Sequence, residues 1–110
     1  MAFLPNYLRT YRKRLHFSQE EVAFLLGVNG ESKGSKVSRD EHNVREPSLK
    51  TALSYEAIYG RPVRELFAGL YEEVEREVAR RARIVNYRKI RKPNPKRQET
   101  LNNLVSILTL

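Results

Sequence analysis

The chain has 110 residues, a formal net charge of +8 and no cysteine. This length accommodates one small domain and an appendage. Without cysteine the chain has no disulfide or thiolate metal site, and its two histidines are too few for zinc without carboxylate help. We therefore expect no metal and no cofactor. No apolar run approaches the roughly 20 residues of a membrane helix and no signal-peptide core opens the chain, so we expect a cytoplasmic protein that avoids membranes.

The excess positive charge lies late in the chain. Residues 1–75 contain 11 basic and 11 acidic residues, whereas residues 76–97 contain ten basic residues and Glu77 as their one acidic residue. A basic segment of this kind favours a polyanionic partner, with nucleic acid ahead of anionic lipid.

The first half of the chain carries clear signals for short helices. Asn6 is placed to cap a first helix. The stretch Ser18-Gln19-Glu20-Glu21 is a capping box for a second helix, which ends at Gly27. Residues 29–35 have the composition of a loop. A third helix, from about Ser35 to His42, has only Val37 as an apolar anchor, so one of its faces must look outward.

Two further helices and a terminal one complete an all-α prediction without strands. Ser48 caps a fourth helix that closes at Gly60, and its predicted buried residues are Leu49, Ala52, Leu53, Ala57 and Ile58. Pro62 fits the first turn of a fifth helix, the longest in the chain, whose apolar stripe extends to Val85. Pro93-Asn94-Pro95 ends it. Asn94 then caps a short apolar helix carrying Leu101, Leu104, Val105 and Leu108.

The order and spacing of these signals resemble the Cro/C1-type (XRE) helix-turn-helix family of bacterial and phage regulators. The resemblance covers about residues 8–67. It is carried by Arg12, Ser18-Gln19-Glu20-Glu21, Ala23, Gly27-Val28, Val37-Ser38, Glu41, Pro47-Ser48-Leu49, Gly60 and Glu65-Leu66-Phe67. It implies a five-helix Cro/repressor-like DNA-binding domain over residues 1–69. Residues 70–110 would form a helical, basic C-terminal extension with a short terminal apolar helix.

The resemblance also implies roles for individual residues. With Val37 buried, Ser35, Lys36 and Arg39 face the major groove as base contacts, Arg39 foremost because its fork matches the edge of guanine. Gln19 resembles the family's phosphate contact at the start of the second helix, and exposed phosphate contacts are also predicted for Arg45 and Lys50. Either the third helix starts early or the segment before it bulges outward, and in the second case Lys33 adds a phosphate contact. Arg12 and Glu41 would tie the first helix to the recognition helix. The alternatives are a solvated charged face and an ordinary surface ion pair.

The chain departs from the family pattern in two ways. The segment between the second and third helices is about four residues longer than usual. Asp40 and Glu56 stand where the family has apolar or small residues. Asp40 would repel phosphate unless it pairs with a neighbouring Lys or Arg.

Residues 68–110 lie beyond the resemblance and admit three interpretations. Leu70, Val74, Val78, Leu104 and Leu108 could form a homodimer seam or pack against the chain's own helices. The basic run 80–97 could clamp the DNA backbone, with phosphate contacts from Arg88, Lys89, Arg91 and Lys92, or could be solvated. The extension could also dock a protein partner, a toxin or an accessory protein.

Together these features predict a sequence-specific double-stranded DNA-binding transcriptional regulator. It would be a repressor or autoregulator that binds a pseudo-palindromic operator as a dimer. The alternative is an antitoxin or mobile-element accessory protein that binds DNA and a protein partner. RNA binding is less favoured because no sheet presents aromatics for base stacking. An enzyme is not expected, because the chain lacks a phosphate-binding loop and a nucleophile–His–acid set.

Overall fold

The computed structural model describes residues 4–28, 34–88 and 94–109. Within these ranges the chain is helical and contains no strand, which confirms the all-α prediction. The helices are α1 Leu8–Arg14, α2 Gln19–Leu25, α3 Ser35–Glu41, α4 Leu49–Tyr59, α5 Val63–Leu66, α6 Ala68–Arg88 and α7 Pro95–Ser106, followed by a 3-10 helix Ile107–Thr109. The chain forms two compact units, residues 1–70 and residues 71–110.

The predicted caps of α2 are present. The Ser18 hydroxyl accepts from the backbone N–H of Glu21 at 3.1 Å, and the Glu21 carboxylate accepts from the Ser18 N–H at 2.8 Å. At the other end Gly27 has φ +79°, a left-handed conformation that glycine adopts without strain. The Val28 N–H then donates to the Ala23 carbonyl at 3.0 Å, as in a Schellman motif. Both ends of α2 are therefore fixed by local sequence.

The core of the first unit surrounds Tyr55, which is fully buried on α4. Its ring stacks on that of Tyr59 with centroids 5.8 Å apart and meets the Phe67 ring edge-on at 6.3 Å. The remaining buried members of this cluster are Leu8, Val22, Ala23, Val37, Ala52 and Leu66. Every helix from α1 to α5 thus contributes to one core.

The predicted buried face of α4 is wrong in part. Leu49 and Leu53 are 74% and 50% exposed, and Ala57 is exposed as well. The buried side chains are Ala52, Tyr55 and Tyr59. Either of two rows of side chains along α4 could face the core. The row with the two tyrosines buries more apolar surface, and Tyr55 keeps a hydrogen-bond partner there.

The long fifth helix predicted from Pro62 to Val85 is also wrong, because it is broken at Phe67. Phe67 has φ −115° and ψ 46°, which ends α5 after one turn, and α6 begins at Ala68. The Leu66 carbonyl accepts from the Tyr7 N–H at 2.7 Å, so a tertiary contact takes the acceptor that a continuous helix would use internally. Gly69 allows the segment before α1 to lie against the start of α6, since a Cβ at position 69 would lie 2.6 Å from the Leu4 carbonyl oxygen.

The second unit is built from α6 from Tyr71 onward and from α7. Its buried side chains are Ala79, Ala82 and Leu101. The Asn94 side chain caps α7 as predicted, accepting from the backbone N–H groups of the second and third residues of that helix. Within the described ranges, no helix combines the length and apolar character that crossing a bilayer requires.

Candidate nucleic-acid interface

Helix α3 is fixed to the first unit by three buried side chains on one face. Val37 is fully buried, Asp40 is 3% exposed, and the Glu41 side chain is 1% exposed. Successive helical residues are about 100° apart, so these three share one side. Two of the three are carboxylates, and a buried carboxylate must be hydrogen-bonded or paired with a cation.

Glu41 receives its partners from α1 and α2. The Arg12 guanidinium donates to both carboxylate oxygens, at 2.6 Å from Nε and 3.2 Å from Nη2. The Gln19 side-chain amide donates to the same carboxylate at 3.1 Å. The hydrogen bond to Glu41 raises the pKa of Arg12. The structure thus brings Arg12 and Glu41 together and adds Gln19 to the pair.

Asp40 receives its partners from α4, from α3 itself and from the segment before α1. The Tyr55 hydroxyl donates to its carboxylate at 2.8 Å, and Lys36 Nζ lies 3.3 Å from the same oxygen. The Asn6 amide donates to the Asp40 backbone carbonyl at 2.9 Å. Burial, followed by the hydrogen bond to Asp40, raises the pKa of Tyr55 well above its usual range. Both acids of α3 therefore point inward and have partners.

Tyr59 lies beside this network without joining it. Within the described part of the chain its buried hydroxyl has no hydrogen-bond partner. Burial and the nearby Glu41 carboxylate raise its pKa above the usual range, with Arg12 acting in the opposite direction. The two stacked tyrosines of α4 thus differ, because one is hydrogen-bonded and the other is not.

The opposite face of α3 is open and carries no acid. Ser35, Arg39 and His42 lie opposite Val37 on the helix, and Arg39 and His42 are exposed. Ser35 and Lys36 are partly exposed. Lys36 extends along the helix to Asp40, so of the three predicted base contacts only Arg39 has an exposed cationic side chain with no bond to a neighbouring acid among the described residues.

His42 belongs to this outer face and was not predicted. Its Nδ1 donates to the Ser38 carbonyl at 2.7 Å, one helical turn back, which fixes the ring at the end of α3. Helical spacing alone could have identified His42, since it lies close to the direction of Ser35 and Arg39.

The entry to α3 is packed tightly against α2. Gly34 caps α3 with φ +79°, and a Cβ there would lie 3.1 Å from the Gln19 Cβ. This contact places the start of α3 beside the start of α2. The predicted phosphate contact Lys33 lies outside the described residues.

The remaining predicted phosphate contacts are distributed around the molecule. Arg45 and Lys50 are exposed in the segment after α3 and at the start of α4. Arg88 is the last residue of α6 and is exposed. Lys89, Arg91 and Lys92 lie outside the described residues. Exposed cations on α1, at Arg9, Lys13 and Arg14, were not predicted as contacts.

Searches against protein-family models, curated proteins and solved structures found no match. Among the described residues, no group of three His, Cys, Asp or Glu side chains is arranged to hold a metal ion. The functional proposal therefore rests on the geometry of α3 and its surroundings.

Proposed function

We propose that this protein is a sequence-specific double-stranded DNA-binding transcriptional regulator, acting as a repressor or autoregulator. In this proposal α1–α5 form a Cro/repressor-like domain, α2 and α3 form its helix-turn-helix, and α3 enters the major groove. The protein binds a pseudo-palindromic operator as a dimer.

The observation that carries the proposal is the division of charge on α3. Its acids, Asp40 and Glu41, are buried and bonded to Tyr55, Lys36, Arg12 and Gln19. Its outer face presents cationic and neutral polar groups. A helix that must approach phosphates gains from this arrangement, because exposed carboxylates on it would be repelled.

Arg39 is the principal base reader in this proposal. An exposed guanidinium can donate two parallel hydrogen bonds to O6 and N7 of guanine. Ser35 and His42 share its face and would contact neighbouring bases or phosphates. Lys36 would have to give up its bond to Asp40 to reach a base, so it ranks below Arg39.

In this proposal the Gln19 side chain makes two contacts. One of its amide hydrogens is used on Glu41, and the other remains for a phosphate beside α2. Arg45 and Lys50 supply further phosphate contacts from exposed positions after α3. Such contacts position the protein on the duplex without reading sequence.

The test is a selection of bound duplexes from a random DNA pool at near-physiological salt. We expect a two-fold symmetric motif with half-sites about one helical turn apart. Arg39→Ala should then lose about 1–3 kcal/mol of discrimination at one base position. Arg45→Ala is the matched control with the same change in charge, and it should weaken binding to all DNA sequences equally. Retention of DNA without any motif would contradict sequence-specific recognition.

A further inference from the structure

Helix α6 leaves an apolar stripe exposed within the second unit. Tyr71, Val74, Val78 and Val85 follow three- and four-residue spacing along one side of the helix, and each is between 38% and 48% exposed. A stripe of this spacing is the usual contact surface between two helices.

The adjoining face of α6 is covered. Ala79 and Ala82 are buried, and the Asn86 side chain on that side accepts from the Gln98 side chain of α7 at 2.8 Å. Helix α7 therefore lies beside the alanine face. The stripe adjoins this face, with the buried Ala82 between Val78 and Val85, and its four large side chains stay partly exposed in a single chain.

The charges of α6 are separated along its length. Its first part carries four glutamates against Arg76, namely Glu72, Glu73, Glu75 and Glu77. Its last part carries four arginines and no acid, namely Arg80, Arg81, Arg83 and Arg88. An acidic end and a basic end on one helix are complementary to a second copy of that helix running in the opposite direction.

We propose that the stripe on α6 is the dimer interface and that it pairs antiparallel with α6 of a second copy, centred on Val78. Val78 then faces its own counterpart across a two-fold axis, as an isologous interface requires. Tyr71 and Val85 are each seven residues from Val78, so each faces the other in the partner. The acidic part of one helix lies against the basic part of the other, whereas a parallel pair would align like charges.

The first test uses disulfide cross-linking, for which a chain without cysteine is well suited. Tyr71→Cys and Val85→Cys variants are mixed under reducing conditions, allowed to exchange, and oxidised. We expect the disulfide between positions 71 and 85, identified by mass spectrometry, to exceed the 71–71 and 85–85 products about tenfold. Tyr87→Cys, which is 87% exposed on the other side of α6, is the control and should cross-link little. Predominant 71–71 and 85–85 products would overturn the antiparallel orientation.

The second test measures association of the full chain by sedimentation. Val78→Glu places two carboxylates at the centre of the pair and should raise the dimer dissociation constant about a hundredfold. Ile84→Glu is the matched control, because Ile84 is 51% exposed but lies off the stripe. Circular dichroism verifies that both variants keep their helices. A wild-type chain that stays monomeric throughout, or equal effects of the two variants, would overturn the interface.

This inference deepens the proposed function by naming the surface and the orientation of the dimer. It rests on the proposed function only in assigning this dimer to DNA binding. Both tests are performed without DNA. A monomeric chain that still selects a DNA motif would overturn the α6 interface and leave DNA recognition standing. An antiparallel dimer that selects no DNA motif would support the α6 interface and contradict sequence-specific DNA recognition.

Discussion

At the scale of single residues, the two stacked tyrosines of α4 differ in their contact with α3. Tyr55 donates to the buried Asp40 carboxylate at 2.8 Å, whereas the buried Tyr59 hydroxyl has no partner among the described residues. The two rings stack on each other and have similar burial. They therefore form a natural pair for separating the energy of a hydrogen bond from that of ring packing.

Tyr55→Phe should lower the free energy of unfolding by about 1.5–3 kcal/mol, because it removes a hydrogen bond to a buried charged group. Tyr59→Phe, the matched control, should be neutral or slightly stabilising, since it removes a hydroxyl that is buried without a partner. Urea unfolding followed by circular dichroism measures both. Equal losses for the two variants would show that the Tyr55–Asp40 bond contributes nothing beyond packing.

The same tyrosines predict a loss of stability at alkaline pH. Burial raises the pKa of Tyr55 and of Tyr59 above the usual range, while a tyrosine in the unfolded chain ionises near pH 10. Above about pH 10 the unfolded state therefore binds fewer protons than the native state. Stability that is fully present below that pH is lost as the pH rises, by up to about 1.4 kcal/mol per pH unit for each tyrosine.

Tyr59→Phe isolates this effect without removing a hydrogen bond. Urea unfolding between pH 9 and pH 11 should show a shallower decline for this variant than for the wild type. Tyr87→Phe changes an exposed ring and serves as the control. A Tyr59→Phe variant that declines as steeply as the wild type would contradict the linkage to Tyr59.

At the scale of helices, the break between α5 and α6 depends on the segment before α1. The Tyr7 N–H takes the Leu66 carbonyl, and the Leu4 carbonyl lies where a side chain at position 69 would project. Gly69→Ala should therefore lower the free energy of unfolding by about 1–3 kcal/mol, although alanine is the better helix former by about 1 kcal/mol. Urea unfolding measures the change.

A shortened chain provides the control for this prediction. When the chain begins at Asn6, the atoms of Leu4 and Pro5 that a Cβ at position 69 would meet are gone. Gly69→Ala in this background should be neutral or stabilising. A loss of the same size in both backgrounds would place the cost within α6 itself.

The helix ends that were predicted correctly from the sequence are those that carry their own capping residues. Ser18, Gly27 and Asn94 mark helix ends whose bonds join residues two to five positions apart, so their effect can be read from local order. The buried face of α4 and the break at Phe67 could not be read in this way. Each depends on a residue distant in sequence, Asp40 for Tyr55 and Tyr7 for Leu66.

The candidate site shows the same division. Arg12 and Glu41 could be paired from a family pattern, because the resemblance fixes their relative places. The inward direction of Asp40 could not, since it needs Tyr55 and Asn6 to surround it. The bond between Lys36 and Asp40 has the i,i+4 spacing of a helical ion pair and could be read from the sequence, and it lowers the rank of Lys36 among the base contacts.

At the scale of the whole molecule, the charge is distributed unequally between the proposed reading head and the extension. Residues 76–97 hold ten basic residues against one acidic residue, whereas residues 1–75 hold equal numbers of basic and acidic residues. In the DNA-binding proposal, α3 supplies discrimination and the basic extension supplies affinity that is independent of sequence. The two contributions should respond differently to salt.

Replacing Arg88, Lys89, Arg91 and Lys92 with glutamine should flatten the dependence of DNA affinity on salt. Each phosphate that a cation neutralises contributes about 0.9 to the slope of log K against log salt, so removing these four cations should reduce its magnitude by about 3–4. The preferred DNA motif should not change, because phosphate binding carries no sequence information. Arg76→Gln with Arg81→Gln is the control, since Glu72 and Glu77 already hold those guanidinium groups at 3.0 Å. Titrations of one duplex across a range of salt concentrations measure the slopes. An unchanged slope in the fourfold variant would mean that these four cations are solvated, and the phosphate contacts would then have to come from other basic residues of the chain.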